Sequence, residues 1–360
     1  MFATSNYGLY AEENGMIEID GSQKSGSGTI LRLSVALAAI TNQPLHIYNI
    51  RQSRPQPGLK PQHLEAVITA SRLCCAKVRG ASLGSRELWF TPQQIRGGSI
   101  EAVIETAGSI PMLLLAVMPI CLFADSPINL HVAKGGTDTT HAPTINYLQH
   151  VLLPTLARMG VDAKITVQKY GYYPKGMGEA TLAIKPNRAL RPIIMESFGK
   201  LKRVGGVSVC TFLADRQVAE RQAKTVQEYL SRNGLKADIQ IINDESNPFQ
   251  KGSSIVLWAE TDNGLIIGAD AIGQLHKTAE AVGLEAAEKL VVELNAKPTV
   301  DVFLADMLIP YIALARGNSA FLVREMTEHV LANIWLMEKM LNVKFMVQKV
   351  KTLYRIERSS

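Results

Sequence analysis

Residues 16–20, MIEID, alternate apolar and polar positions with the period of a half-buried strand. They run into a glycine-serine loop, GSQKSGSG, and then into TILRLSVALAAIT, whose apolar spacing is helical. PLHIYNI reads as a strand, RQSRPQPGLK as a basic loop, PQHLEAVITASRLC as a second helix and AKVRGASLGSRELWFTP as strand, which makes a βαβαββ order. Similar order recurs without close sequence likeness. A second unit runs from RGGSIEAVI through a helix at 109–121 to PINLHVA, and a third from KGGTDTTHAP through TINYLQHVLLPTLARMG to the strands AKITVQKYG and GEATLAIKP.

From residue 198 the texture changes. RVGGVSVCTF is strand-like, DRQVAERQAKTVQEYLSRNG a long polar helix, ADIQII a strand, and SSIVLWAETDNGLIIGADAIG a hairpin turning at Asp262, Asn263 and Gly264. The helix KTAEAVGLEAAEKLVVELN follows, then VFLADMLIPYIALA, the strand AFLV, the helix EHVLANIWLMEKML and a final strand. The pattern predicts an α/β (α+β) fold of layered sheets and helices. Its large domain comprises 16–197 and 277–360, interrupted by an insert at 198–276 and preceded by an N-terminal extension at 1–15.

Composition narrows the class. Hydrophobic residues are 47% and charged residues 19%, enough apolar matter for a sizeable core and against disorder. A net charge of +6 mildly favours polyanionic partners. The longest apolar run, IPMLLLAVMPICLFA at 110–124, carries two prolines and is too short for a membrane span, so it is expected to be a buried helix followed by a strand or loop. The four cysteines, Cys74, Cys75, Cys121 and Cys210, show no CxxC spacing, which fits a reducing cytoplasm. The N-terminal MFATSNYGLYAEENG lacks the apolar segment of a signal peptide.

Against this background a few residues stand out. Arg51, Arg54 and Lys60 lie in a loop stiffened by Pro55 and Pro57, and Pro61 then starts a helix with Gln62 and His63 in its first turn. Free backbone N–H groups at such a helix start make a seat for an anion, and two arginines three apart fork onto phosphate oxygens. Thr327 is a good N-cap, so His329 falls in the first turn of the last helix, where the dipole favours neutral, nucleophilic imidazole. GSQKSGSGT is similar to a phosphate-cradling loop but does not match the Walker pattern. KGGTDTTHAP offers paired glycines with Asp138 and His141, and YGYYPKGMGEA reads as a glycine-rich turn. No HExxH or Cys/His cluster is present.

Taken in order, IDGSQ, SG.G.ILR, IRQSRPQPGLKPQHLEAV, GASLGSRELWFTP, IRGG, TAGSI, GGTD, GYYPKG, FLADMLIP and EHVLANI resemble the RNA 3′-terminal phosphate cyclase family over nearly the whole chain from residue 16. The resemblance implies three βαβαββ-like repeat units similar to those of enolpyruvate transferases, with a small α+β insert. It implies an ATP-dependent ligase that converts an RNA 3′-terminal phosphate to a 2′,3′-cyclic phosphate through histidyl-AMP and RNA-adenylate. On this sequence it places the nucleophile at His329, with Arg32, Arg51, Arg54, Gln62 and His63 at active-site positions. The stretch Phe303, Leu304, Ala305, Asp306 and Met307 matches a nucleotide-binding segment. ATP, a divalent Mg²⁺ or Mn²⁺ with no assigned ligands, and a single-stranded RNA ending in a 3′-phosphate are the implied partners.

The resemblance also has departures. The family loop GEGGGQ carries a glutamate tied to metal and nucleotide where this chain has Ser25, and a glutamine where it has Thr29. Leu115 and Met307 replace polar residues, and Met177 interrupts a glycine run. A serine hydroxyl is a poor substitute for a carboxylate toward Mg²⁺. These changes keep open a second reading, a catalytically altered cyclase-like protein that binds RNA or serves ribosome assembly.

Overall fold

A computed structural model describes residues 15–359. The reading of MFATSNYGLYAEENG therefore falls almost wholly outside the described residues. The first unit is β1 (Ile17–Asp20), α1 (Gly28–Thr41), β2 (Leu45–Tyr48), α2 (Pro61–Leu73), β3 (Lys77–Arg79) and β4 (Leu88–Thr91). Ile19, Leu45, Ile47, Leu88 and Phe90 alternate inward along these strands and meet the almost wholly buried α1. β1 and β2 are parallel, the other pairs antiparallel, and the sheet order is β1-β2-β4-β3.

The second unit is β5 (Gly98–Val103), α3 (Ile110–Cys121), β6 (Ile128–Gly135), the helical stretch α4 (Ile145–Tyr147) and α5 (Leu153–Arg158), β7 (Ala163–Lys169) and β8 (Gly178–Ile184). Between α4 and α5 the helix widens to a π turn over Leu148–Leu152. The two stretches that the sequence pattern separates into a second and a third unit thus share one sheet, ordered β5-β6-β8-β7, because β6 pairs with both β5 and β8. The third unit is split around the insert. It begins with β9 (Ile194–Met195).

The insert contributes β10 (Leu201–Thr211), α6 (Val218–Arg232), β11 (Ala237–Asp244), β12 (Gly252–Thr261), β13 (Ile266–Ile272) and α7 (Ala279–Ala296). Its sheet is ordered β11-β10-β12-β13. Val282, Ala286, Ala287 and Leu290 of α7 join Val226 and Leu230 of α6 and Ile255 and Ile267 of the strands in a second core. The sequence pattern starts the large domain again at 277, whereas α7 packs on the insert. Its i, i+4 apolar stripe covers β12 and β13 of the insert sheet.

The chain then returns through α8 (Val302–Leu314), β14 (Ser319–Val323), α9 (Glu328–Leu341), β15 (Lys344–Val350) and β16 (Leu353–Ser359). β14 pairs parallel with β9 and antiparallel with β16, which pairs with β15. That is the topology of the first two sheets, so the fold is α+β with three βαβαββ units and an α+β insert. α1, α2, α3, α8 and α9 pack against one another. Among the described residues no helix is long and apolar enough to cross a membrane.

Candidate active site

The first turns of five helices, α1, α2, α3, α8 and α9, reach one cleft of about 920 Å³. Each has a polar start. Ser27 Oγ accepts from Thr29 N, Ser109 Oγ from Met112 N, Asp301 Oδ1 from Phe303 N and Leu304 N, and Thr327 Oγ1 from Val330 N. A cap satisfies only part of the exposed N–H set, so five positive helix ends still face the same space.

The predicted residues converge here. Arg32, Arg51, Arg54, Gln62, His63, His329, Phe303, Asp306 and Met307 all line the cleft, while Leu304 and Ala305 turn into the core at 1% and 0% exposure. Arg32 is buried and donates to Thr29 Oγ1 at 3.2 Å, and burial lowers its pKa to about 10, against the pull of Asp306. Arg51 adopts a positive φ of 55° and donates to the carbonyls of Gln56 and Gly58 at 2.8 and 2.9 Å, which fixes the proline loop around it. Arg54 donates to Ser25 O at 3.2 Å and ties that loop to the glycine-serine loop. Gln62 Oε1 accepts from Ser109 N at 2.9 Å and so joins the starts of α2 and α3.

His63 is the tightest fit. Its Nδ1 accepts from Lys60 N at 3.3 Å, which leaves the ring proton on Nε2. A β-carbon on Gly28 would lie 2.2 Å from that Nε2, so only glycine admits the imidazole against α1. Burial, then Arg32, Arg51 and Lys60, push its pKa down to about 2, so it is neutral near pH 7. His329 is exposed at the cleft rim, and partial burial with Arg32 and Arg54 lowers its pKa against the opposing Glu328. Asp306 has its carboxyl pushed up to about 7 by burial and by Asp301, with Arg32 opposing.

The opposite wall comes from the insert, and no local sequence signal marks it. Glu285 lies between Lys277 and Lys289, its Oε1 2.7 Å from Lys289 Nζ, and Lys289 Nζ also donates to Asp270 O at 2.9 Å. Thr139, Thr140 and His141 complete the rim, so His141 of the paired-glycine loop reaches the cleft. Asp138 of the same loop does not. It is fully buried and accepts from Thr137 Oγ1 at 2.7 Å.

Chemically the cleft has two ends. Helix starts and three guanidinium groups suit phosphates, and Phe303, Leu115, Met112 and Met307 offer an apolar surface for a base. A nucleoside triphosphate fits that division. A resident metal fits less well, since no group of three His, Cys, Asp or Glu side chains is placed to hold one among the described residues. Ser25 Oγ instead donates to Ser27 Oγ at 3.0 Å.

A family model described as RNA 3′-terminal phosphate cyclase matches residues 23–347. An RNA 3′-terminal phosphate cyclase of Pyrobaculum aerophilum is 41% identical over 343 residues, 95% of this chain and 97% of that protein. Those of Pyrococcus furiosus and Methanopyrus kandleri are each 42% identical, over 333 and 335 residues, covering 92% and 91% of this chain and 95% and 94% of theirs.

Proposed function

The chain belongs to the RNA 3′-terminal phosphate cyclase family, and from that premise we propose that it cyclises RNA 3′-phosphates at the expense of ATP, with His329 as the nucleophile. The observation that carries this reading is the meeting of His329 with Arg32, Arg51 and Arg54 in one cleft ringed by helix starts. The unprotonated imidazole attacks the α-phosphorus of ATP, a P–N bond forms and pyrophosphate leaves. An oxygen of the RNA 3′-phosphate then displaces the imidazole from the AMP phosphorus. Finally the neighbouring 2′-OH attacks the activated 3′-phosphorus, expelling AMP and closing the 2′,3′-cyclic ester.

Each protein group has a task in this scheme. Burial, with Arg32 and Arg54 beside it, lowers the pKa of His329 and favours the unprotonated ring, and the two guanidinium groups face the phosphates, whose developing charge they stabilise together with the helix starts. Arg51 is held by its two carbonyl partners so that the basic loop keeps its shape. His63, neutral with its proton on Nε2, and Gln62 orient groups at the starts of α1 and α3. Phe303 and Met307 offer the base its apolar surface, and Asp306 sits beside Arg32. A divalent ion, where used, enters with the triphosphate, and no step is derived through it. We also place the chain in a reducing cytoplasm, in keeping with four free cysteines.

The replacement of a family carboxylate by Ser25 favours the second reading, an RNA-binding member with altered catalysis. Labelled ATP separates the two. The cyclase reading expects the purified protein to acquire an AMP that is labile to acid and resistant to hydroxylamine, and His329→Ala to abolish it while costing about 1 kcal/mol or less in stability. A wild type that takes no label with any divalent metal overturns it.

A further inference from the structure

Among the described residues only three Phe, Tyr or Trp side chains are exposed. Phe303, half exposed, lies in the cleft. The other two, Tyr173 at 77% and Phe249 at 60%, lie on two loops that touch each other outside it. Those loops are tied, not loose. Buried Asn247 donates through Nδ2 to Tyr170 O at 2.7 Å and Gly176 O at 3.0 Å, and Lys175 N donates to Gln250 Oε1 at 3.2 Å. The Tyr172 ring lies flush on Gly252, where a β-carbon would sit 2.1 Å from it.

Two further observations point to a ligand. Lys175 and Lys251 flank the two rings, are exposed, and make no ion pair among the described residues; Glu245 is the exposed acid on the same loops. The loops also adjoin the cleft rim. Tyr172 bridges Asp138, and the next residue, Thr139, lines the cleft. One bridge and two chain steps separate Tyr173 from that lining, about 12 Å along the backbone.

We infer that Tyr173 and Phe249, with Lys175 and Lys251 beside them, form a stacking platform for the single-stranded RNA that runs back from the 3′-end held in the cleft. Rigidly mounted aromatic faces interleaved with ammonium groups suit single-stranded nucleic acid, because every base has a face to stack and every link a phosphate. The platform reads no particular sequence. It lengthens the grip on the strand and leaves the reacting end to the cleft. This inference rests on the cyclase reading for its choice of partner.

The test is binding of a fluorescent single-stranded RNA of about ten nucleotides ending in a 3′-phosphate, followed by anisotropy, with self-labelling by ATP as a control. Tyr173→Ala and Phe249→Ala should each weaken binding roughly 10-fold. Tyr173→Phe should bind as wild type, since the ring face is kept. Self-labelling should be unchanged, and a 3′-phosphorylated dinucleotide, too short to reach the loops, should be cyclised by the variants with the wild-type KM. Wild-type affinity in the double alanine variant overturns the platform. A wild type that binds the longer RNA through these rings but cyclises nothing upholds the platform and overturns the cyclase reading.

Discussion

His63 shows how much one position can carry. At the third place of α2 it returns a bond to the backbone of Lys60, the task of the third residue in a capping box, while its far nitrogen presses on α1. The Gln62-His63 pair was legible in the sequence as polar residues in a helix start. The need for glycine at 28 was not, because it arises from contact between segments far apart in the chain. Titration follows from the burial. Between about pH 2 and the ordinary value of 6.5 the unfolded chain binds a proton at this ring and the folded chain does not, so stability rises with pH through that window. Acidification below 6.5 should cost about 1.4 kcal/mol per pH unit from this group alone. His63→Gln, which keeps a side chain able to accept the Lys60 N–H, should remove one proton from the slope of stability against pH. Urea denaturation between pH 4.5 and 6.5 measures it, and an unchanged slope means that the imidazole is protonated in the folded state.

At the scale of elements, α9 owes its start to Thr327, and the start places His329. Thr327 Oγ1 accepts from Val330 N at 3.1 Å, and Asn333, one turn further on, donates to Asp306 O at 2.9 Å. Thr327→Ala should cost about 1 kcal/mol and slow self-labelling several-fold as the first turn frays, with Thr327→Ser restoring both. Calorimetry and a labelling time course check the pair of effects; slowed labelling in the serine variant as well would tie the loss to the methyl group and not to the cap. This cap was legible, as were α1, α2, α3, α8 and the hairpin of β12 and β13, each marked by strong periodicity or turn residues. β9 was not, being only Ile194–Met195 and defined by its partner β14 across the whole insert. The membership of α7 was hidden for the same reason, since its apolar stripe reads alike whichever sheet it covers. The merging of the middle segments into one sheet rests on β6 having two partners, which no local pattern records.

On the scale of the whole molecule the cleft exists because two cores meet, and buried carboxylates join them. Asp301 caps α8 through Oδ1, accepts from Tyr147 Oη at 2.7 Å through the same oxygen, and accepts from Gly268 N of β13 at 2.8 Å through Oδ2. Asp270 accepts from Thr144 N at 2.8 Å in the reverse sense, from the insert to the large domain. These ties set the distance between the arginine wall, legible as a basic loop, and the lysine wall, which sequence reading missed because Lys277 and Lys289 look like any solvated helix face. Asp301→Ala leaves the Tyr147 hydroxyl, the Gly268 amide and two helix N–H groups without their acceptor in a site closed to water. Such a loss should cost about 3 kcal/mol or more. It should also release the insert wall locally, so that the Gly268 amide exchanges its hydrogen much faster than in the wild type while amides at the centre of β6 keep their order of protection. Native-state hydrogen exchange together with urea denaturation decides the matter. If Gly268 stays as protected as before and the midpoint barely moves, the two walls are held by packing alone, and Asp301 serves only to cap its helix.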